Sequence, residues 1–207
     1  MWYLQPSPVV FKVTGKDARR YLNNRLSQDL RSISSGASLV AGALSPQGRV
    51  EGLYTVYVQG EDLFYLVSDG GERQPLFAAL GRYIVADRVS IIDCSAEALV
   101  GHVSGSVIPV LGEGETCFTH QQRRLGENGE DFLILSDKLS DIRATLSTYL
   151  EAPLSKSDYD IKRFAAAFPE YPSEINDSMI LTEGGLREAV SFKKGCYVGQ
   201  EVIERSD

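Results

Sequence analysis

Several things are scarce in this chain of 207 residues. No apolar run approaches the roughly 18 residues that a membrane-crossing helix needs. The opening MWYLQPSPVVFKV has no basic stretch followed by an apolar one, so it does not read as a secretory signal, and a cytoplasmic location is expected. Only two histidines occur, His102 and His120, and neither has a ligand partner at the short spacing zinc sites favour, so no metal site is expected. Cys94, Cys117 and Cys196 form no CxxC pair. Three widely spaced cysteines argue against a disulfide framework and fit a reducing compartment. Basic tracts of five or more residues are also missing, and the formal net charge is −7. That balance counts against nucleic-acid binding, which needs a concentrated positive surface. Local basic pairs remain (Arg19–Arg20, Arg123–Arg124 and Lys193–Lys194 among them), and such a pair can hold a carboxylate or a phosphate.

What is present describes a globular protein of one large or two small domains, with 43% hydrophobic and 24% charged residues. PVVFKV reads as a strand. After it, Ala18, Tyr21, Leu22, Leu26 and Leu30 recur at helical spacing behind a capping-box-like Thr14-x-x-Asp17. SLVAGAL, RVEGLYTVYV and DLFYLVS are β-rich runs joined by SPQG and QGED, which predicts an antiparallel meander. Leu76, Phe77, Leu80 and Ile84 then mark a second helix, and VSIID a returning strand.

A weaker version of this pattern follows. ALVGHVSG and SVIPVLG are expected to pair, and TCFTHQ and DFLILS bracket the turn-rich RLGENGE. Ser136 caps a predicted helix with Leu139, Ile142, Leu146 and Tyr149 inward. A short helix should bury Ile161, Phe164, Ala165 and Phe168, and PEYPSEINDSMILTEGGL should be an ordered loop. The expected class is α+β, with two meander-plus-helix, ferredoxin-like units. The expected segments are 1–88 and 89–152 for the two units, and 153–207 for a helix, loop and tail packing back on them. Identity between the halves is too low for a true repeat.

The stretch FKKGCYVGQE, residues 192–201, carries the strongest chemical signal. Thiolate is the reactive form of cysteine, and neighbouring cations or a helix N-terminus favour it. Lys193, Lys194 and a helix beginning at Cys196 would act in that sense, with Gly195 allowing a turn. On local chemistry alone the same residues fit better a cysteine packed as a small hydrophobe beside two exposed lysines, because most lone cysteines are structural. Cys94 and Cys117 are expected as strand-end core residues, and the two histidines as ordinary strand residues.

KGCYVGQE resembles the signature of the YgfZ family, folate-binding-type proteins of iron–sulfur cluster assembly or repair, in the glycine cleavage T-protein (aminomethyltransferase) superfamily. VTGKDARRYLNNRLSQDL, LSPQGRV, IKRFAAAFPEYPSEI and LREAVSF are similar, in the same order, to other parts of that family. The resemblance implies interlocked units of the aminomethyltransferase folate-binding fold, with the C-terminal β-barrel domain missing from this chain. It implies Cys196 as a functional thiol assisted by Lys194, within a motif completed by Gly195, Tyr197, Gly199, Gln200 and Glu201. It further implies tetrahydrofolate as ligand, with Arg49, Glu51, Tyr54 and Lys193 as candidate contacts. Iron–sulfur proteins or their assembly machinery are the implied partners, with no nucleic acid, no membrane and no stably bound metal.

Two positions separate this chain from the transferases of the superfamily. Glu51-Gly52 stands where two aspartates are expected, and Ala165 stands where a glutamate would meet the pterin. A non-enzymatic assembly factor is therefore favoured over a tetrahydrofolate-dependent aminomethyltransferase-like transferase.

Overall fold

The structure, a computed structural model, describes residues 1–106, 108–109 and 116–206. Two compact units interleave along the chain: residues 1–8 with 95–169, and residues 9–94 with 170–207. Among the described residues no helix is long and apolar enough to cross a membrane.

The unit holding most of the motifs is built on a five-stranded antiparallel sheet. Its strands are β2 (Val9–Thr14), β3 (Ser38–Leu44), β4 (Val50–Val58), β5 (Leu63–Ser68) and β6 (Ser90–Asp93), in the order β3-β4-β5-β2-β6. The predicted meander is therefore present, with β4 between β3 and β5. Helices α1 (Ala18–Arg25) and α2 (Arg73–Gly81) supply Ala18, Tyr21, Leu22, Leu76 and Leu80 to a core with Phe11, Tyr54, Val56, Phe64 and Leu66. Each fully buried Leu or Phe of this kind contributes about 1.5–3 kcal/mol.

The first helix is shorter than its hydrophobic spacing predicts. It stops at Arg25, yet Leu26 and Leu30 are still buried, because the chain beyond the helix bends along the same core. Asp17 occupies the N-cap position without capping; its carboxylate instead accepts from the Arg88 amide at 2.9 Å and pairs with Arg20. On α2, Phe77 lies at the surface, and Ile84 packs on the core from beyond the helix end.

Residues 170–199 contain a single short 3-10 turn (Arg187–Ala189) before α5 (Gln200–Arg205). The loop is ordered, as expected, and burial orders it: Ile175, Ile180, Leu181, Leu186, Val190, Tyr197 and Ile203 pack with Leu44, Val50 and Leu53 of β3 and β4. Tyr54 and Leu53 alternate along β4, so this second cluster lies across the sheet from the helices. Gly42 makes the contact close: a Cβ there would come within 2.6 Å of Leu181 Cδ1. Ser27 Oγ donates to Ala189 O at 2.5 Å and accepts from Gly42 N at 2.8 Å, tying the segment after α1 to both strand and loop.

The other unit has a four-stranded antiparallel sheet of β1 (Trp2–Leu4), β7 (Ala98–Ser104), β8 (Thr116–Gln122) and β9 (Gly129–Leu135), ordered β1-β7-β9-β8. The first strand of the chain thus pairs with β7 rather than with its sequence neighbours. The expected pairing of ALVGHVSG with SVIPVLG falls largely outside the described residues. Helix α3 (Leu139–Tyr149) packs Ile142 and Leu146 on Trp2, Leu99, Val103, Phe132 and Ile134. Ser136 lies two residues before the N-cap, Lys138, whose amide it accepts, and Tyr149 points outward.

Helix α4 (Lys156–Ala165) reverses the expected orientation. Ile161 is 65% and Phe164 58% exposed, Ala165 is exposed and Phe168 only half-buried, while Tyr159 and Arg163 are buried. Tyr159 stacks on Tyr3 with centroids 3.9 Å apart, and Arg163 bonds to Asp160 and the Phe168 carbonyl. An aromatic stack and satisfied guanidinium bonds outweigh the apolar stripe.

Candidate functional site

The motif stretch has an internal logic different from the expected one. Helix α5 begins at Gln200, not at Cys196, so the helix N-terminus does not reach the thiol. Cys196 is exposed in irregular backbone between the buried Lys194 and Tyr197. The Lys194 ammonium donates to the carbonyls of Asn23, Leu26 (2.7 Å) and Gln28 (2.8 Å). All three of its N–H groups are thus engaged at the C-terminal end of α1, where the helix dipole favours a cation. Burial holds Lys194 down at about 8, with Asp29 acting in the opposite direction. Asp29 itself is held at about 2, chiefly by its bonds from Arg31.

Tyr197 lies under that ammonium, 4.9 Å from Nζ to ring centroid, and burial pushes its hydroxyl up to about 12. Gln200 accepts from the Tyr197 amide and donates to Glu204 at 2.5 Å, while Glu201 and Lys193 face outward. Gly195 is not the close-packed residue: a Cβ on it would meet nothing within 4 Å, and its φ is not positive. Gly199 is. With φ at +84°, it would place a Cβ 2.6 Å from Ser45 O and 3.1 Å from Gly48 Cα. The hairpin turn between β3 and β4 therefore seats directly against the end of the motif.

That same hairpin opens a cleft of about 450 Å³, walled by Ser45, Arg49, Glu51, Arg82, Tyr171 and Asn176 among others. Ala43 pairs with Gly52 and Leu44 with Val50, so Glu51 is the extra residue of a β-bulge. Bulges re-aim a side chain out of the regular alternation, and this one lies where Glu51 faces the cleft. Its Oε2 accepts from Arg25 Nη2 at 2.7 Å and its Oε1 from Arg82 Nη1 at 2.5 Å. Arg25 is 1% exposed, and its other donors go to Ala79 O (2.9 Å) and Leu44 O (2.8 Å). Tyr171 donates to the Glu51 carbonyl at 3.3 Å, and Arg49 to Ser178 O at 2.5 Å.

Of the four candidate folate contacts, the structure brings Arg49 and Glu51 together and leaves two apart. Tyr54 is in the core, its hydroxyl on the Leu76 carbonyl and its pKa raised by burial, and Lys193 is outside the cleft wall. Arg25, Arg82 and Tyr171 were not singled out by sequence; a helix-end arginine has no local mark that distinguishes it from a solvated one.

No family model matches the chain. An uncharacterized protein of Haemophilus influenzae is 24% identical over 204 residues, spanning 95% of this chain and 65% of its own length. The tRNA-modifying protein YgfZ of Escherichia coli O157:H7 is 24% identical over 208 residues, spanning 94% and 64%. Glycine cleavage system aminomethyltransferase T from Bartonella henselae matches 99% of this chain with a TM-score of 0.80 at 16% identity. Over nearly its whole length the chain is thus similar to proteins named YgfZ. Its α+β fold is like that of this aminomethyltransferase, the fold that the sequence resemblance implies. The chain spans 64–65% of the length of these two relatives and 62% of the matching structure.

The remaining cysteines and histidines sort by burial. Cys94 is buried after β6, its thiol against Val10 O, whereas Cys117, the second residue of β8, is exposed rather than packed in the core. His102 is more than an ordinary strand residue: it contacts Asp131 at 2.9 Å and Ser104 at 2.8 Å, and Asp131 accepts twice from Arg124. This buried cluster lies in the other unit. Among the described residues no group of three or more His, Cys, Asp or Glu side chains is arranged to hold a metal.

Proposed function

We propose that the chain is the ligand-binding part of a folate-dependent accessory protein that supports iron–sulfur cluster assembly or repair in the cytoplasm, with Cys196 as its functional thiol. The observation that carries this reading is the bulged Glu51 in a cleft whose hairpin also contacts the Cys196 segment through Gly48 and Gly199. A cleft of this size suits a small ligand. The pterin of a reduced folate offers N–H donors to Glu51, and its glutamate tail offers carboxylates to Arg49 and Arg82. Lys194 acts as a positioning residue that anchors the segment to α1 and leaves the thiol exposed for redox or transient ligand-transfer chemistry. The clients proposed are cluster-dependent enzymes, including those that modify tRNA, in keeping with relatives named tRNA-modifying proteins.

Calorimetry with tetrahydrofolate tests the ligand: micromolar binding lost in Glu51→Gln is expected. Cluster-dependent enzyme activities in cells relying on Cys196→Ser test the thiol, and unchanged activities would remove it from the reading. A second reading, an aminomethyltransferase-like one-carbon transferase, is favoured by a carboxylate in the cleft. Folate-dependent glycine cleavage that needs Glu51 but ignores Cys196→Ala would select it.

A further inference from the structure

The two oxygens of Glu51 are held by arginines of opposite character. Arg25, on Oε2, is wholly buried, and its remaining donors are fixed on the Ala79 and Leu44 carbonyls. It cannot leave without stranding a desolvated charge. Arg82, on Oε1, stands just past the end of α2 with its side chain 48% exposed. Water can replace its partner, so that half of the bridge is weak. Glu51 and Arg82 both line the cleft, and Arg49 lies in the same wall.

We infer that Arg82 is a displaceable latch on Glu51, and that it selects ligands combining an N–H donor head group with an anionic tail. This rests on the cleft being the ligand site. A head group with adjacent N–H donors, such as an amidine or the 2-aminopyrimidinone edge of a pterin, takes the place of Arg82 on Oε1. The released guanidinium then joins Arg49 in meeting the carboxylate of the tail. A ligand without a tail must open the latch and gives Arg82 nothing in return. Arg82 is thus a specificity-determining residue acting through the carboxylate that Arg25 holds in place.

Calorimetry with three probes on the wild type and on Arg82→Ala tests the latch: benzamidine, a tail-less hydroxymethylpterin, and 5-formyltetrahydrofolate. The two tail-less probes should bind Arg82→Ala about two- to fivefold more tightly, the factor equivalent to a half-exposed ion pair. The folate should bind the variant no more tightly than it binds the wild type. General damage to the cleft would instead weaken all three. Tail-less probes that bind the variant equally, more weakly or not at all would overturn the latch. If benzamidine gains but no folate binds either protein, the latch stands and the folate reading fails. If folate binds and benzamidine does not gain, the reverse holds.

Discussion

Gly199 faces Gly48 backbone to backbone: a methyl group on Gly199 would lie 3.1 Å from the Gly48 Cα and 2.6 Å from the Ser45 carbonyl oxygen. A Cβ on Gly48 would in turn meet Val202 at 2.8 Å. Two of the sequence stretches that resemble the family, the LSPQGRV hairpin and KGCYVGQE, are therefore one contact. Gly199→Ala adds left-handed strain to that overlap, and a loss of about 1–3 kcal/mol is expected in urea denaturation. Gly195→Ala, with open space around it, should stay within about 0.5 kcal/mol of wild type. Equal losses for the two would refute the packing role of Gly199.

Lys194→Met should destabilise the same unit, because the carbonyls of Asn23, Leu26 and Gln28 lose their shared donor. Leaving one such buried acceptor unpaired costs about 1–3 kcal/mol. Hydrogen exchange should show faster opening at the end of α1 in this variant. Lys193→Met, which removes an outward-facing neighbour, is the matched control and should leave both stability and exchange unchanged.

Native-state alkylation followed by mass spectrometry should label Cys196 readily and leave Cys94 unlabelled until the chain unfolds. The contrast follows from exposure of the first and burial of the second. Labelling of Cys196 as slow as that of Cys94 would show that the 192–199 segment closes over the thiol.

Acid stability has an identifiable contributor. Burial alone would raise the pKa of Asp131, but the charge of Arg124 and the bonds from His102 and Arg124 outweigh it and hold the group at about 2. Its folded pKa lies below the ordinary 3.8, so its contribution is present above that value and is lost as pH falls toward 2. That window carries about 2 kcal/mol. Asp131→Asn should therefore be less stable at neutral pH and show a shallower decline between pH 4 and pH 2 in thermal melts. A slope equal to wild type would mean that another carboxylate governs the acid transition.

Much of the α+β layout was legible because alternation and turn residues are local signals. The β3–β4–β5 meander needs only SLVAGAL, RVEGLYTVYV, DLFYLVS and the turns between them. Helix α4 was misread for the converse reason. Its apolar residues are periodic, but Tyr159 stacking on Tyr3 from the start of the chain decides which face turns inward. The site shows the same division. The motif and Glu51 were visible as sequence, whereas the bulge that aims Glu51, the arginines that grip it and the α1 carbonyls that hold Lys194 are products of long-range contact. Sequence neighbours suggested that Lys194 served the cysteine beside it; the fold gives its donors to residues about 170 positions earlier.

The cluster joining Leu44, Val50 and Leu53 to Ile175, Leu181 and Ile203 also constrains the order of events during synthesis. One face of β3 and β4 stays bare on the growing chain until some 120 further residues have left the ribosome. β1 similarly waits for β7, about 100 residues away. Contacts at such separation slow folding and leave apolar surface open to wrong partners. A nascent chain of this protein should accordingly depend on holding chaperones until α5 emerges.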